Sequence, residues 1–471
     1  MIAKNKRCRD EQRGIQGAAK MDNILRQLWN FLKENEKDML ISSSGSIPSG
    51  NNEKVRAGQS YLYNKRGMES EVIEVRFDKN VWGSHLNRAL NLAIKRYPYL
   101  NTRLIERDGD FYIVQNTAAP VSRKTQNLAK LGGISCSYHL IDVTYWESSV
   151  FVSFHHALCD GRGIKPFVET LIYYYCCFRY NNTDKVEGIR LADDGLLEGE
   201  TDDPFNKTYD YDESKKFIKL PGEAFRLEEN KAGETVYSRR YYRYEIKLDH
   251  DNFMTVCREY NATPAIMVAL ATSKAIADIY PDYDKPINAN IATDMRRALG
   301  TENTYKNCVL SMILPYDRQF ASLPLKEQAT KYRELLNTQR DADYCRFQAN
   351  AMLKLFDKLD SISGYADKQK IMTFFEDMAL DTYVISYLGQ FAPGSNAQHA
   401  DSIHLYNSGT TGLGITMTAT DACFTINFKQ SFESDRYVKA FAAQLRRLGI
   451  SCEPGNGIEF ETPVDNLLKR R

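Results

Sequence analysis

The sequence predicts an α/β (α+β) protein of two domains, and three observations carry that expectation. The chain has 471 residues, more than one hydrophobic core ordinarily serves. Strand-like alternation and helix-like periodicity both occur in each half. Between the halves, residues 181–216 are polar, rich in carboxylates and poor in apolar side chains, which marks a crossover.

Residues 1–54 read as an N-terminal extension and linker. The first twenty or so are charged and carry no apolar secretory core. Met21, a second candidate start, opens a piece in which Ile24, Leu25, Leu28, Trp29 and Leu32 recur at helical spacing, predicting a helix that docks on the body. The stretch SSSGSIPSGNN after it is a flexible connection.

The first domain is expected over residues 55–185. SEVIEVRF alternates as a strand, and HLNRALNLAIKRY places Leu86, Leu90, Ala93, Ile94 and Tyr97 on one helical face before Pro98 ends the helix. RLIERDGDFYIV reads as a hairpin about Asp108 and Gly109. A crossover is assigned to residues 186–235 and a second domain to 236–471. There YYRYEIKL alternates as a strand, and Thr263 with Pro264 caps and opens the helix PAIMVALATSKAIADIY.

Composition narrows the function. Hydrophobic residues at 43% and charged residues at 26% are those of an ordinary soluble protein. With 62 basic and 61 acidic side chains no global field draws the chain to nucleic acid or an anionic membrane, and neither is expected as a partner. Ten cysteines without a C-x-x-C pair point to reduced thiols and a cytoplasmic setting. No apolar run is long enough to span a bilayer.

The chemistry concentrates in FVSFHHALCDGRG, Phe151 to Gly163. Alternation of Val150, Val152 and Phe154 brings a strand into the histidines, with His156 on the face of Val152 and Phe154 and His155 on the other. Ile164, Phe167, Val168, Leu171, Ile172 and Tyr175 then mark a helix beginning just past Gly163. A histidine at such a turn suits general-base work, and Asp160 either binds the turn together or orients the imidazole; the first role is preferred. Three other readings stand beside this: hydrogen-bonded structure alone, a zinc site from His155, His156, Cys159 and Asp160, or Cys159 as a nucleophile.

His155, His156, Asp160 and Gly161 match the HHxxxDG signature, and here the chain resembles the chloramphenicol acetyltransferase-like superfamily. That group takes in alcohol acetyltransferases, polyketide-associated acyltransferases and condensation domains. AIKRYPYLNTRL, NANIATDMRRALGTENTYKNCVL and VISYLGQF resemble further elements of the group in the right order, although Tyr387 replaces a usual asparagine. The likeness runs from about Ser60 to Ile450. It implies two similar domains forming a pseudo-dimer with an interdomain tunnel.

By that resemblance His156 is the base that takes a proton from an acceptor hydroxyl or amine attacking a thioester. Asp160 pairs with Arg296 of the second domain, Gly161 lets the backbone pass near the reacting carbonyl, and His155 and Asn307 are secondary site residues. No resident cofactor and no metal are implied; acyl-CoA, or an acyl carrier protein, is the donor. The acceptor is a small molecule, an alcohol in the leading reading and an amine in the alternative, that of a stand-alone condensation enzyme. The plant-type D-F-G-W-G element has no counterpart.

Overall fold

The computed structural model describes residues 53–64, 70–181, 183–184, 186–215, 217–230, 240–377, 380–391, 398–407 and 412–461. The helix expected between Met21 and Leu32 lies outside the described residues.

The first half contains β1 (Glu53–Lys54), α1 (Gln59–Leu62), β2 (Ser70–Phe77), α2 (Gly83–Arg96), β3 (Thr102–Arg107), β4 (Asp110–Gln115), β5 (Arg123–Lys124), β6 (Ile141–Trp146), β7 (Ser149–His155) and α3 (Gly161–Tyr180). The second contains β8 (Arg240–Asp249), α4 (His250–Glu259), α5 (Pro264–Ile279), β9 (Ile287–Asp294), α6 (Arg296–Leu299), β10 (Val309–Tyr316), α7 (Arg318–Ala321), α8 (Leu325–Gln339), α9 (Ala342–Asp360), α10 (Tyr365–Asp377), β11 (Tyr383–Gln390), β12 (Ala400–Asn407), β13 (Leu413–Ala419), β14 (Cys423–Gln430), α11 (Arg436–Arg447) and β15 (Ile458–Glu461).

Local chemistry explains the elements that matter. Asp108 and Gly109 both take positive φ, at 54° and 81°, so the two-residue loop between β3 and β4 has the twist that a tight hairpin needs. Thr263 caps α5 through its side chain, which accepts from the Ile266 amide, and Pro264 opens the first turn. Helix α3 starts at Gly161, three residues before the expected position, because the Asp160 carboxylate already caps it by accepting from the Gly163 amide.

A five-stranded sheet runs in the order β12-β2-β7-β6-β5, and a seven-stranded one runs β10-β9-β11-β13-β14-β8-β15. The first sheet is therefore not built from the first half alone. Strand β12, which the sequence reading did not anticipate, comes from the second half and pairs antiparallel with β2, from Ala400 opposite Phe77 to Asn407 opposite Glu71. It also rests on the second sheet, where the hydroxyls of Thr418 and Thr425 donate to the Ile403 carbonyl and that of Thr416 to the Leu405 carbonyl. One strand thus belongs to both halves.

The crossover also differs from a simple linker. Glu200 within it is buried and takes both guanidinium arms of Arg96, at 2.9 and 3.0 Å, together with the Tyr99 hydroxyl at 2.7 Å. Phe205 and Leu227 are buried as well. A polar stretch packs here because a few anchors satisfy its charges, which composition alone does not reveal.

At the start of α3 the halves approach closely enough to exclude a side chain. A Cβ on Gly163 would lie 1.8 Å from the Tyr305 carbonyl oxygen. Gly163→Ala is therefore expected to destabilise the protein by at least the 1–3 kcal/mol typical of overpacking, read as a lower midpoint in equilibrium urea unfolding. An unchanged midpoint would mean that the halves do not meet there as described.

Candidate active site

The turn between β7 and α3 brings the chemistry together. His155 ends the strand, and residues 156–160 form the turn. Both oxygens of Asp160 are committed to structure. Oδ1 accepts from the Gly163 amide at 2.7 Å and from Arg296 Nη2 at 2.8 Å, and Oδ2 accepts from the Cys308 amide at 2.8 Å. The imidazole is instead met by Asn307, at His156 Nδ1.

Arg296 does more than pair with Asp160. Its Nε donates to the Thr304 carbonyl at 2.8 Å, Nη2 also to the Lys306 carbonyl at 2.7 Å, and Nη1 to Asp294 Oδ1 at 2.9 Å. One buried guanidinium thereby shapes the loop 304–308 of the second half, and Asn307 is carried on that loop to His156.

Asn307 holds His156 at two points. Its Nδ2 donates to the His156 carbonyl at 2.7 Å, so its Oδ1 is the atom 2.9 Å from His156 Nδ1. An amide oxygen only accepts, and Nδ1 must therefore carry the ring proton. Nε2 is left with its lone pair. The ring is further fixed by Tyr61 of α1, stacked on it at 3.7 Å between centroids and 6° between planes.

His155 faces elsewhere. Its Nδ1 accepts from the Ala157 amide at 3.0 Å, and burial, followed by the neighbouring His156, pushes its imidazole down to about 3. Burial likewise drives the Cys159 thiol well above its ordinary range, which is the opposite of an activated nucleophile. Among the described residues no group of three His, Cys, Asp or Glu side chains is placed to hold a metal ion. Gly161 meets Leu388 of β11, whose Cδ2 lies 2.3 Å from where a Cβ would sit, so the close approach here is to a side chain of the other half. Tyr387 packs near Phe424, at 6.1 Å between ring centroids.

Two groups next to His156 escaped the sequence reading. Tyr61 is one; the other is Glu71 of β2, buried, with Oε1 3.7 Å from His156 Nε2. A signal for Glu71 existed. Alternation in SEVIEVRF puts Glu71 on one face with Ile73, Val75 and Phe77, a carboxylate at the end of an apolar row.

No family model matches the sequence, and no curated protein matches it. Solved structures do. The chain has the two-domain chloramphenicol acetyltransferase-like fold. TRI101 of F. sporotrichioides, complexed with coenzyme A and T-2, superposes with a TM-score of 0.56 at 13% identity, over 86% of this chain and all (100%) of that one. Polyketide synthase associated protein 5 of Mycobacterium tuberculosis gives 0.54 at 11% identity, over 85% and 98%. The epimerization domain from the third module of tyrocidine synthetase B gives 0.52 at 13%, over 86% and 98%. At such identities the likeness is one of fold, and the chemistry of this chain has to be argued from its own residues.

Two outcomes follow from this geometry. Asp160→Asn leaves the buried Arg296 charge with only the part-exposed Asp294 as counter-charge and should lower stability by about 3 kcal/mol in urea unfolding, whereas Arg297→Ala, at the exposed neighbour, should change it by less than about 0.5 kcal/mol. His155 binds its proton far less readily folded than unfolded. Its contribution is complete above the ordinary value of 6.5 and is lost as pH falls toward about 3. His155→Asn should remove about 1.4 kcal/mol per pH unit from the slope of stability within that window, measured by urea titrations at a series of pH values.

Proposed function

We propose that this protein is an acyltransferase that moves an acyl group, acetyl being the simplest, from a coenzyme A thioester to an alcohol. The observation that carries the reading is the fixed tautomer of His156. With Nδ1–H engaged by Asn307, Nε2 is a positioned base with a free lone pair in a buried site.

The step balances without any further reagent. His156 Nε2 accepts the hydroxyl proton as the oxygen bonds to the thioester carbonyl carbon. The tetrahedral adduct then collapses, the C–S bond breaks, and the imidazolium returns its proton to the departing thiolate. Asp160, Gly161 and Arg296 shape the turn, and Asn307 and Tyr61 orient the ring. His155 takes no proton in this scheme.

Other parts of the reading concern the surroundings. The catalytic halves are residues 55–185 and 236–471, and the protein works in the cytoplasm without a resident cofactor, nucleic acid or membrane. Beside the turn, a crevice lined by Ala157, Leu158, Lys306 and Asn307 adjoins a cavity of about 620 Å³ that shares Glu53 and Asp203 with it. Carboxylates from Glu198, Asp202 and Glu302 also line that cavity. Such a lining disfavours the phosphates of coenzyme A, and we assign that side to the acceptor.

Thiol release decides the matter. Purified protein incubated with acetyl-CoA and longer acyl-CoA donors and a panel of alcohols and amines should release thiol only when an acceptor is present. His156→Ala should lower that rate by about 10²- to 10⁴-fold. Turnover confined to a donor on an acyl carrier protein would shift the assignment to the condensation alternative. Full activity in the variant would remove His156 from the chemistry.

A further inference from the structure

We propose that Glu71 is a positioning residue for His156, a buried counter-charge that stabilises the imidazolium during acyl transfer and is itself steadied across both halves by Asn407 and Lys429. The proposal rests on the acyl-transfer reading above and adds a residue to it.

The register of the strands puts the parts in place. Across the first sheet, Asn407 of β12, Glu71 of β2 and Phe154 of β7 lie in one row. The next row inward is apolar, with Leu405, Ile73 and Val152. A carboxylate at this position ends an otherwise hydrophobic face, two residues short of His156 along β7. Burial pushes the Glu71 carboxyl above the usual range, while His156 and a hydrogen bond from Asn407 act to lower it. A charge in such a place is retained only if something offsets its desolvation.

The offset arrives from one side at rest and from the other during reaction. Asn407 donates to Glu71 and accepts from Lys429 Nζ at 2.5 Å. Lys429 comes from β14 of the second sheet and is itself buried, which pushes its ammonium well below the usual range while Glu71 acts to raise it. On the other side, Glu71 Oε1 is 3.7 Å from Nε2. That separation is beyond hydrogen-bond reach, so the carboxylate does not occupy the lone pair that has to accept the acceptor's proton. It is close enough for the carboxylate to attract positive charge that develops on the ring during the reaction.

The proton balance does not involve Glu71. The proton passes from acceptor to Nε2 and from Nε2 to the thiolate, while the carboxylate neither takes nor gives a proton. The other titratable groups around the ring are Tyr61 of α1, stacked on it, His155 and Asp160 of its own turn, and Lys429 behind Glu71. Asp160, although paired with Arg296, still repels the Glu71 charge; Glu71 is the carboxylate that lies 3.7 Å from Nε2.

The test uses the full chain as Glu71→Gln and Glu71→Asp. With whichever acyl-CoA and acceptor the wild-type protein turns over, Glu71→Gln should lower kcat by about 10- to 100-fold with KM within about twofold, and Glu71→Asp should recover part of that loss. The acid limb of the pH–rate profile should move to lower pH in Glu71→Gln, because the ring loses the charge that favours its protonated form. The same displacement should appear in the pH titration of the His156 ring signal of ¹⁵N-histidine-labelled protein. An unmoved ring titration overturns the proposal whatever happens to the rate, since a merely structural loss lowers kcat without moving it. A moved titration with an unchanged kcat also overturns it, for the pairing would then do nothing in the reaction. If the wild-type protein turns over no acceptor, the acyl-transfer reading fails, and with it the role in catalysis; the ring titration still decides the pairing itself.

Discussion

The ion pair between Asp160 and Arg296 is the constraint on which the site depends. It joins residues 136 positions apart, one at the N-terminus of the helix that follows the histidines and one at the start of α6 in the other half. Both side chains are almost wholly withdrawn from water, at 1% and 2% exposure, so neither can be left alone without a large desolvation penalty. Because each makes several further hydrogen bonds, fixing one fixes a turn and fixing the other fixes a loop. Asn307 then meets His156 as a consequence of backbone geometry that the pair has already set.

Strand β12 applies a second, independent constraint. A strand from one half that completes the sheet of the other removes the freedom of two domains to slide or hinge on a small interface. Its backbone bonds to β2 and its carbonyls accept from threonine hydroxyls of β13 and β14. The row that holds Asn407 beside Glu71 exists only in this register; a slip of one residue would turn Asn407 to the opposite face.

Much of this was legible in the sequence, and the parts that were not share a physical cause. The hairpin at Asp108 and Gly109, the capped helix after Thr263 and the strand SEVIEVRF are local, each written in turn chemistry, capping or alternation over a few residues. The structural use of Asp160 was also readable from its place between glycines, and Arg296 and Asn307 from the likeness to a known family. Strand β12 was not, because DSIHLYN is short and alternates weakly, and its partner lies some 330 positions earlier. The packed crossover escaped for a similar reason: its burial rests on Glu200 meeting Arg96 and Tyr99, a contact with no local signature. Tyr61 and Glu71 reach His156 only after two strands and a short helix have been assembled, and no spacing rule reports such a meeting.

The surface between the two sheets extends the logic of the site. Beyond Glu71, the opposite face of β2 carries Glu74 and Arg76 toward the second half. Arg76 reaches both Glu245 oxygens, at 2.7 and 2.8 Å, and both Glu74 oxygens, at 2.7 and 3.2 Å, and Arg243 approaches Glu74 at 3.4 Å. His404 of β12 sits within the same network, its Nδ1 3.2 Å from Asn427 Oδ1. Apolar packing would have tolerated many relative placements of the halves, since hydrophobic contact is non-directional. Bidentate guanidinium–carboxylate pairs tolerate few. Against the effect of burial, the hydrogen bonds from Arg76, with His404 and Arg243 nearby, pull the Glu245 carboxyl down to about 2, so its charge persists over the whole range in which the protein would work. A site whose histidine comes from one half and whose clasp, Asn307, comes from the other needs that kind of directional interface, and the buried charges around β12 supply it.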